Sequence, residues 1–414
     1  MCAAGAVPPR EVDVAIVGGG MVGASLAAAL AGSGRRLLLI ENAPFGSAAQ
    51  PSFDERTTAL GNVSRRIFEG LAVWDSTAPE AAAIRTIHVS EAGRFGFARL
   101  VAAEQGVEAF GYVVANRCIG AALWQRLRAA PDLTLQAPAR VADLAVSAAG
   151  VHLTVVNESG SAVPVSARLL VAADGANSQV RTAAGIGADV VDYDQVAVVA
   201  TVGADRAHGG NAYERFTPAG PLAVLPRHDG GLAVIWACRP QRAQALLALG
   251  EDAYLAQLQS QFGWRAGRFV RAGPRNAYPL RLTRATASVA TRTVLIGNAA
   301  QALHPVAGQG FNLGLRDAAM LAEVIAGTAG DTGAPAVLRQ FVDWRARDRR
   351  GVVRFTDGLI RLFGDSRPGA ALLRNLGLLM FDLTPPAKSA LARVSAGFGG
   401  PTPRLARGLS LPHV

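Results

Sequence analysis

Short apolar runs separated by glycine-rich turns dominate the first 40 residues. The runs Val12–Val17 and Leu37–Ile40 have the length of buried strands, and the alanine-rich stretch Ala24–Ala31 between them favours a helix. Gly32 and Gly34 follow as a helix stop. This pattern predicts a strand, a helix and a second strand.

The middle of the chain is rich in strand signals, whereas the last quarter is helical. The predicted strands are Val151–Val156, Leu169–Ala172, Gln195–Val202, Leu232–Cys238 and Thr293–Ile296. The predicted helices are Cys118–Ala129, Gln241–Gln261, Asn312–Ile325 and most of the region after Arg339, with breaks at Gly364, Pro368 and Pro385-Pro386. Elements of nucleotide-binding type thus lie at both ends of a β-rich insertion. We therefore expect two domains built from interleaved segments.

Composition excludes several classes of protein. Half of the 414 residues are hydrophobic and 17% are charged, which excludes a disordered chain. Cys2, Cys118 and Cys238 cannot form a disulfide framework and show no zinc-binding spacing, so a reduced, cytoplasmic setting is expected. Neither a signal peptide nor an apolar run long enough to cross a membrane is predicted.

The net charge of +10 is concentrated at one end. Residues 339–414 carry 13 basic and five acidic residues, which leaves the rest of the chain near neutral. Arginine supplies 40 of the 41 basic residues, so a bias in genome composition is one explanation of the total charge. Such a bias does not explain why the positive charge is concentrated in residues 339–414. Such a tail could meet nucleic acid, an anionic membrane surface or an acidic partner.

The first candidate site is a G-x-G-x-x-G turn between the first strand and helix. Its glycines permit close approach of a pyrophosphate to the helix N-terminus, and an acidic residue after the second strand can accept hydrogen bonds from ribose hydroxyls. The candidate binding residues are Gly18, Gly20, Met21, Val22, Gly23 and Glu41. The alternative is an ordinary glycine-rich turn with a surface glutamate. The motif alone suits FAD and NAD equally.

Two later loops have the same strand-to-turn character. The first follows Leu169–Ala172 and contains Asp174, with Arg181 just beyond; the second follows Leu295-Ile296 and opens a helix. The candidate binding residues here are Asp174, Gly297, Asn298, Pro305, Gly308, Gln309, Gly310, Phe311 and Asn312. Each loop alone could be a simple turn, but the three in this order are specific. His304, within the last loop, either shapes the loop or faces a cofactor.

Together the three loops resemble those of group A flavoprotein aromatic hydroxylases, and the resemblance covers nearly the whole chain. The run Gly297–Gln301 followed by Leu303–Pro305 is similar to ubiquinone-biosynthesis hydroxylases of the 2-polyprenyl-6-methoxyphenol (UbiH) type. The runs Thr356–Phe363 and Arg374–Leu378 are also similar to that group. The resemblance implies FAD rather than NAD as the bound dinucleotide.

The resemblance also implies the fold. We expect an α/β, p-hydroxybenzoate hydroxylase-like fold, in which a Rossmann-type FAD-binding domain is interleaved with a β-sheet substrate domain. The expected segments are 1–75, 101–182 and 286–335 for FAD binding, 76–100 and 183–285 for the substrate domain, and 336–414 for a helical C-terminal region.

Further residue roles follow from the resemblance. Arg56 and Arg117 match flavin-contacting arginines, and Asp174 matches a residue linked to FAD and NAD(P)H. Surface salt bridges for the arginines and a helix N-cap for Asp174 are the alternatives. Asn298 departs from the broad family, which usually has Asp there; Asn keeps an acceptor oxygen but loses the charge. We interpret it as a marker of the subgroup.

The implied reaction uses NAD(P)H and dioxygen to hydroxylate a polyprenylated phenol, at the para position of a 2-polyprenyl-6-methoxyphenol. The alternatives are another ring position or aromatic substrate, and a non-catalytic flavin-binding subunit. Implied partners are other ubiquinone-biosynthesis proteins and, through the basic tail, the inner membrane surface; nucleic acid is not expected. No catalytic base is predicted. Strand residues expected to face the flavin, or alternatively to form strand core, are Phe216, Leu222, Val224, Leu225, Pro226, Val234 and Trp236.

Overall fold

The computed structural model describes residues 9–44, 46–47, 50, 56–304, 306–364, 369–397 and 400–412. Its strands are β1 (Arg10–Val17), β2 (Leu37–Ile40), β3 (Thr57–Gly61), β4 (Ala82–Ile84), β5 (Thr86–Glu91), β6 (Phe97–Val101), β7 (Gly111–Ala115), β8 (Leu133–Gln136), β9 (Ala139–Val146), β10 (Val151–Asn157), β11 (Ala162–Ala172), β12 (Ala188–Ala204), β13 (Asn211–Thr217), β14 (Gly220–Pro226), β15 (Leu232–Cys238), β16 (Phe269–Ala285), β17 (Val289–Ala290), β18 (Thr293–Leu295) and β19 (Gln301–Ala302).

The helices fall between the strands and at the C-terminal end. They are α1 (Met21–Leu30), α2 (Asn62–Gly70), α3 (Trp74–Thr77), α4 (Asn116–Arg128), α5 (Gln179–Ala183), α6 (Pro240–Ala248), α7 (Glu251–Phe262), α8 (Gln309–Ala326), α9 (Pro335–Gly364), α10 (Ala370–Asp382) and α11 (Pro385–Ser395). Among the described residues, no helix combines the length and apolar character needed to span a bilayer.

The first sheet is built around five parallel strands in the order β18-β11-β1-β2-β8. The buried central residues of these strands are mostly apolar, because helices α1, α4 and α8 cover one face and the hairpin β9–β10 lies against the other. The carboxyl ends of β1, β11 and β18 therefore meet at one edge, where parallel α/β sheets usually bind ligands.

The second sheet is largely antiparallel, with the order β19-β16-β12-β15-β14-β13-β5-β6. Helices α6 and α7 cover one face, and Trp236, Tyr254 and Phe262 pack in the core between them. The third sheet is small, with β7 between β3 and β4. Segments of the two large sheets alternate along the chain, as expected of interleaved domains.

The C-terminal helices connect the two large sheets. Helix α9 packs on α8 beside the first sheet, and at its far end the ring of Phe363 stacks on Phe216 of β13, with centroids 3.6 Å apart. Helix α10 covers the free edge of β6, because Asn375 Oδ1 accepts the Gly96 N–H at 2.8 Å and an Asp382 oxygen accepts another edge N–H. This contact protects an otherwise open sheet edge.

Most predicted elements are present, with two differences in detail. The helix expected over Gln241–Gln261 is two helices, α6 and α7, because the chain is extended at Leu249 and Gly250 between them. Pro385 begins α11 rather than only ending α10, since proline is well accommodated in a first helical turn.

Candidate active site

One cavity of about 1450 Å³ lies where the two large sheets meet. Its volume exceeds the range of common small-molecule pockets, so it can hold a dinucleotide together with a second ligand. It brings together most of the residues predicted to bind the cofactor: Gly18, Gly20, Met21, Val22, Glu41, Arg56, Asp174, Asn298, Gly308, Gly310 and Phe311. Gly23, Gly297, Gln309 and Asn312 lie behind this lining, and Pro305 is outside the described residues.

The first loop requires glycine for steric reasons. Gly18 has φ +105°, and a Cβ there would lie 2.4 Å from the carbonyl oxygen of Ala173. A Cβ on Gly23 would lie 1.9 Å from the carbonyl oxygen of Gly18. The loop thus turns tightly into α1, whose first residues Met21 and Val22 line the cavity. A helix N-terminus at a cavity wall suits an anionic group such as a pyrophosphate.

Glu41 lies at the end of β2 and organises the same loop. Its carboxylate accepts the Gly19 N–H at 2.6 Å and the Ala43 N–H at 2.8 Å. Gln50, which the sequence did not single out, is fully buried and donates its amide to the Gly19 carbonyl oxygen at 3.1 Å. Gln50 lines the cavity, and its Oε1 atom has no hydrogen-bond partner among the residues that the structure describes, so it can accept a hydrogen bond from a ligand.

The second loop presents a partly unsatisfied carboxylate. Asp174 accepts the Val180 N–H at 3.2 Å through one oxygen, while its other oxygen is buried and has no hydrogen-bond partner in the described part of the chain. The N-cap of α5 is Ser178, whose Oγ accepts the Arg181 N–H at 2.9 Å. Asp174 therefore supports this turn and also has an acceptor left for a ligand hydroxyl.

Arg181 joins the second loop to the third. Its buried guanidinium donates to the carbonyl oxygens of Ala176 at 2.9 Å and Ala299 at 3.0 Å. The sequence placed Arg181 next to the second motif, but only the fold brings Ala299 within its reach. This side chain fixes the spacing of the two loops across the cavity.

The third loop depends on close packing against the first helix. Gly297 has φ +57°, and a Cβ there would lie 3.1 Å from a Val22 methyl carbon. Asn298 is exposed on the cavity side. Asn312 instead serves the fold: its Oδ1 accepts from Gly61 N at 2.9 Å, and its Nδ2 donates to the Gly308 carbonyl oxygen at 2.7 Å.

His304 both shapes the loop and lines the cavity. Its Nδ1 accepts the Val306 N–H at 3.2 Å, so the proton is on Nε2, which lies 3.3 Å from Gln195 Oε1. Burial lowers the pKa of His304 to about 4, which keeps the imidazole neutral at pH 7. Both nitrogens are used by the protein, which favours the shaping role.

The two predicted arginines lie in different surroundings. Arg56 lines the cavity with its guanidinium carbon 4.6 Å from the centre of the Tyr278 ring, which also lines the cavity. Arg117 is not in the lining; its guanidinium lies 3.1 Å from Glu80. The Cys118 thiol donates to the same carboxylate, and this bond and Arg117 hold the pKa of Glu80 below its usual value.

The wall opposite the loops comes from the second sheet. Leu225 lines the cavity, whereas Leu222, Val224, Val234 and Trp236 belong to the core beneath α6 and α7. The cavity-facing positions are the alternate residues of the same strands, because neighbouring side chains point to opposite faces. The small and aliphatic lining residues of this wall include Ala197, Val199, Ala223, Leu225, Ile235 and Ala237.

Similarity to known proteins identifies the cofactor. Residues 11–356 match the FAD binding domain family. The chain is 39% identical to the ubiquinone hydroxylase UbiL of Rhodospirillum rubrum over 97% of this chain and 94% of that protein. It is 35% identical to the 3-demethoxyubiquinol 3-hydroxylase of Escherichia coli over 89% of this chain and 94% of that protein. The chain belongs to the FAD-dependent hydroxylases of ubiquinone biosynthesis.

Solved structures confirm the fold of this hydroxylase. The p-nitrophenol 4-monooxygenase PnpA of Pseudomonas putida matches with a TM-score of 0.78 at 20% identity, covering 94% of this chain and 99% of that one. By its family and its relatives, the enzyme is an FAD-dependent aromatic monooxygenase, as the resemblance implied. The glycine cradle and the unpartnered buried oxygens of Gln50 and Asp174 fit this cofactor, since FAD offers a pyrophosphate and several hydroxyl donors.

Proposed function

We propose that this enzyme hydroxylates a polyprenylated phenol at the para position, with 2-polyprenyl-6-methoxyphenol as substrate and NAD(P)H and dioxygen as co-substrates. The observation that carries the proposal is the cavity in which the FAD loops face an apolar sheet wall. A phenol oxygen donates electron density to its ortho and para carbons. Para attack on a ring already substituted beside the hydroxyl is therefore chemically favourable.

The residues of the three loops hold the cofactor in this proposal. Gly18 and Gly20 would border the pyrophosphate of FAD, Glu41 and Gln50 would accept hydrogen bonds from ribose hydroxyls, and Asp174 would accept one from another hydroxyl of the cofactor. When bound, FAD supplies electron transfer from NAD(P)H and the activation of dioxygen. Arg117 remains a predicted flavin contact, and its guanidinium is paired with Glu80.

The residues of the second sheet position the ring and exclude water. Val199, Leu225 and Ile235 present aliphatic surface toward the loops. Exclusion of water matters because it protects activated oxygen from loss before transfer to the substrate. His304 acts by shaping the third loop, since the protein occupies both of its ring nitrogens.

The prenyl chain extends toward the C-terminal helices. Ile84, Ile87 and Leu225 line one end of the cavity, and the same residues pack in a cluster with Phe381 of α10 and Leu391 of α11. An apolar chain leaving the ring site in this direction would meet the inner side of these helices, where its methylene groups gain by leaving water.

A second candidate function is hydroxylation of a 3-demethoxyubiquinol at ring position 3, the activity in the name of the Escherichia coli relative. The 35% identity to that protein favours it. Product analysis separates the two. The purified enzyme is given a short-chain 2-prenyl-6-methoxyphenol and NAD(P)H, and the ring protons of the product are assigned by NMR. Para hydroxylation leaves two ring protons in the positions flanking the new hydroxyl. A product hydroxylated elsewhere would contradict the para assignment, as would the absence of any product from this phenol when a short-chain 3-demethoxyubiquinol, supplied in a parallel reaction, is consumed.

We further propose that α10 docks this enzyme on the cytoplasmic face of an anionic inner membrane. Leu372, Leu373, Leu376, Met380 and Leu383 follow one helical face and are 45–75% exposed. The net charge of +8 in residues 339–414 favours an anionic surface over an acidic cleft of a protein, because it accompanies an exposed apolar helix face. Arg374, however, cannot contact lipid, since it is buried in an ion pair with Glu91 at 2.7 Å.

Liposome cosedimentation tests this docking. Replacing Leu373 and Met380 by Ser should abolish binding to anionic vesicles at low salt, while a matched control at the exposed Val190 and Val191 should keep it. Binding of wild type should weaken at high salt. Equal, negligible binding of wild type to anionic and neutral vesicles at both salts would overturn the proposal and leave delivery of the phenol to a protein partner.

A further inference from the structure

A buried ionic cluster lies directly behind the third cofactor loop. It consists of Arg316 and Asp317 from α8 and of Arg345, Asp348 and Arg349 from α9. Arg345 and Asp317 are essentially inaccessible to solvent, and their side chains lie 2.8 Å apart. Buried charges of this kind are costly to desolvate, so their presence calls for a specific role rather than general stabilisation.

Asp317 is the member of the cluster that touches the loop itself. Its Oδ2 accepts the Gly297 N–H at 3.3 Å and the Gln301 side-chain amide at 3.0 Å. These two contacts bracket the segment 297–301, whose opposite side presents Asn298 to the cavity. The carboxylate therefore holds the loop from behind while the loop faces the cofactor.

Arg349 fixes the carboxylate in this position. Its guanidinium meets both oxygens of Asp317, at 3.1 and 3.0 Å, and also approaches the carbonyl oxygen of Leu295 at 3.4 Å. Burial opposes ionisation of Asp317, but Arg349 and Arg345 outweigh it and hold the pKa of Asp317 below its usual value. The carboxylate is thus charged and can accept strong hydrogen bonds from the loop.

The bracketed segment has a second structural importance. It joins β18 of the first sheet to β19 of the second sheet, where Gln301 pairs with Arg284 of β16. Displacement of this segment would move the cofactor loop relative to the sheet that forms the substrate wall. The position of this segment therefore sets the alignment between cofactor and substrate, and small misalignments of reacting groups lower the reaction rate strongly.

We propose that Asp317, held by Arg349, is a positioning residue that sets the third FAD loop and the crossing between the two sheets. Asp317 does not line the cavity, so it acts through Gly297 and Gln301 rather than by contact with cofactor or substrate. The inference depends on FAD binding alone and holds whichever ring position is hydroxylated.

The test compares variants inside one cluster. Gln301→Leu removes a donor to Asp317 without leaving a charge unpaired, and Asp317→Asn removes the charge. Asp348→Asn is the matched control, because Asp348 is equally part of the buried cluster, pairing with Arg316 at 2.8 Å, but has no contact with the loop. For each variant, the Kd for FAD, the visible absorption and circular dichroism of bound FAD, and its reduction potential are measured below the unfolding temperature.

We expect Gln301→Leu and Asp317→Asn to raise the Kd for FAD by about tenfold, the scale of one hydrogen bond to a charged group, and to shift the spectrum and potential of the bound flavin. Asp348→Asn should lower the melting temperature but keep the FAD spectrum and Kd. Arg349→Lys should recover part of what Arg349→Met loses, because lysine retains the charge but not the paired bonds.

Two outcomes would overturn the proposal. One is that Asp348→Asn changes the FAD Kd and spectrum as much as Gln301→Leu does, which would make the cluster a stabilising element only. The other is that Gln301→Leu and Arg349→Met both keep the wild-type Kd, spectrum and potential. Should Asp317→Asn fail to fold, these two variants still decide, since neither leaves Asp317 without a charged partner: Arg345 remains.

Discussion

Removal of the Glu41 carboxylate should weaken FAD binding in a measurable and specific way. In the structure, Glu41 accepts the Gly19 N–H at 2.6 Å and the Ala43 N–H at 2.8 Å. Glu41→Ala would therefore release the first glycine loop as well as remove an acceptor for the ribose hydroxyls. The carboxylate is only partly buried, so solvent can replace some of these bonds.

The expected loss for Glu41→Ala is about 1.5–3 kcal/mol, which raises the Kd for FAD about 10- to 150-fold. Glu41→Gln should lose less, because its amide retains one carbonyl acceptor. The Kd is measured by titrating flavin-free protein with FAD and following the quenching of flavin fluorescence.

A suitable control is Glu11→Ala, at a highly exposed ion pair with Arg36 that should contribute little. If Glu41→Ala and Glu11→Ala bind FAD with the same Kd as wild type, Glu41 does not belong to the site, and the assignment of the first loop to the ribose end of FAD is wrong.

Three further predictions concern the glycine cradle, the third loop and acid stability. Gly23→Ala places a methyl group 1.9 Å from a backbone oxygen and should yield protein without FAD. The control Gly250→Ala, where an added Cβ meets nothing within 4 Å, should bind FAD normally. A yellow, stable Gly23→Ala protein would contradict this prediction. Asn298→Asp, a nearly isosteric change on the cavity side, should keep FAD bound, and loss of FAD would mean that an Asn donor is required. Burial lowers the pKa of His304 from 6.5 to about 4, so as the pH falls the imidazole takes up a proton in the unfolded chain before it does so in the folded protein. The contribution of the neutral imidazole to the free energy of unfolding is therefore complete above pH 6.5 and is lost progressively toward pH 4, by about 3 kcal/mol at most. Urea unfolding at pH 7 and pH 5 should show a smaller pH effect in His304→Gln than in wild type or in the exposed control His152→Gln; equal effects would contradict it.

Local sequence signals predicted the elements that carry the site. The strand–helix–strand start, the glycines of the first loop and the acidic residue after β2 follow from steric and spacing rules that act over a few residues. Gly18 and Gly23 lie in the tight turn before α1, and Glu41 follows β2 and accepts a hydrogen bond from that turn. Cavity-facing strand residues were harder to predict, since Leu225 and Val224 differ only in which face of β14 they occupy.

Long-range contacts were beyond the sequence. Arg181 meets Ala299, and Arg349 meets Asp317 and Leu295, across separations that no local pattern encodes. Arg374 is another residue whose contact the sequence did not predict. Its place in a basic tail suggested a cation at the surface, but in the structure it is buried in an ion pair with Glu91. Charge counted along the chain does not reveal which arginines are paired inside the protein.

Oxygen incorporation tests the central claim most directly. The purified protein, loaded with FAD, is supplied with NAD(P)H, isotopically labelled dioxygen and a short-chain 2-prenyl-6-methoxyphenol, and the product is analysed by mass spectrometry. A hydroxylase of this kind predicts phenol-stimulated NAD(P)H oxidation and one labelled oxygen atom in the ring product. NAD(P)H oxidation that is independent of every phenol tested, with no labelled product, would contradict the account.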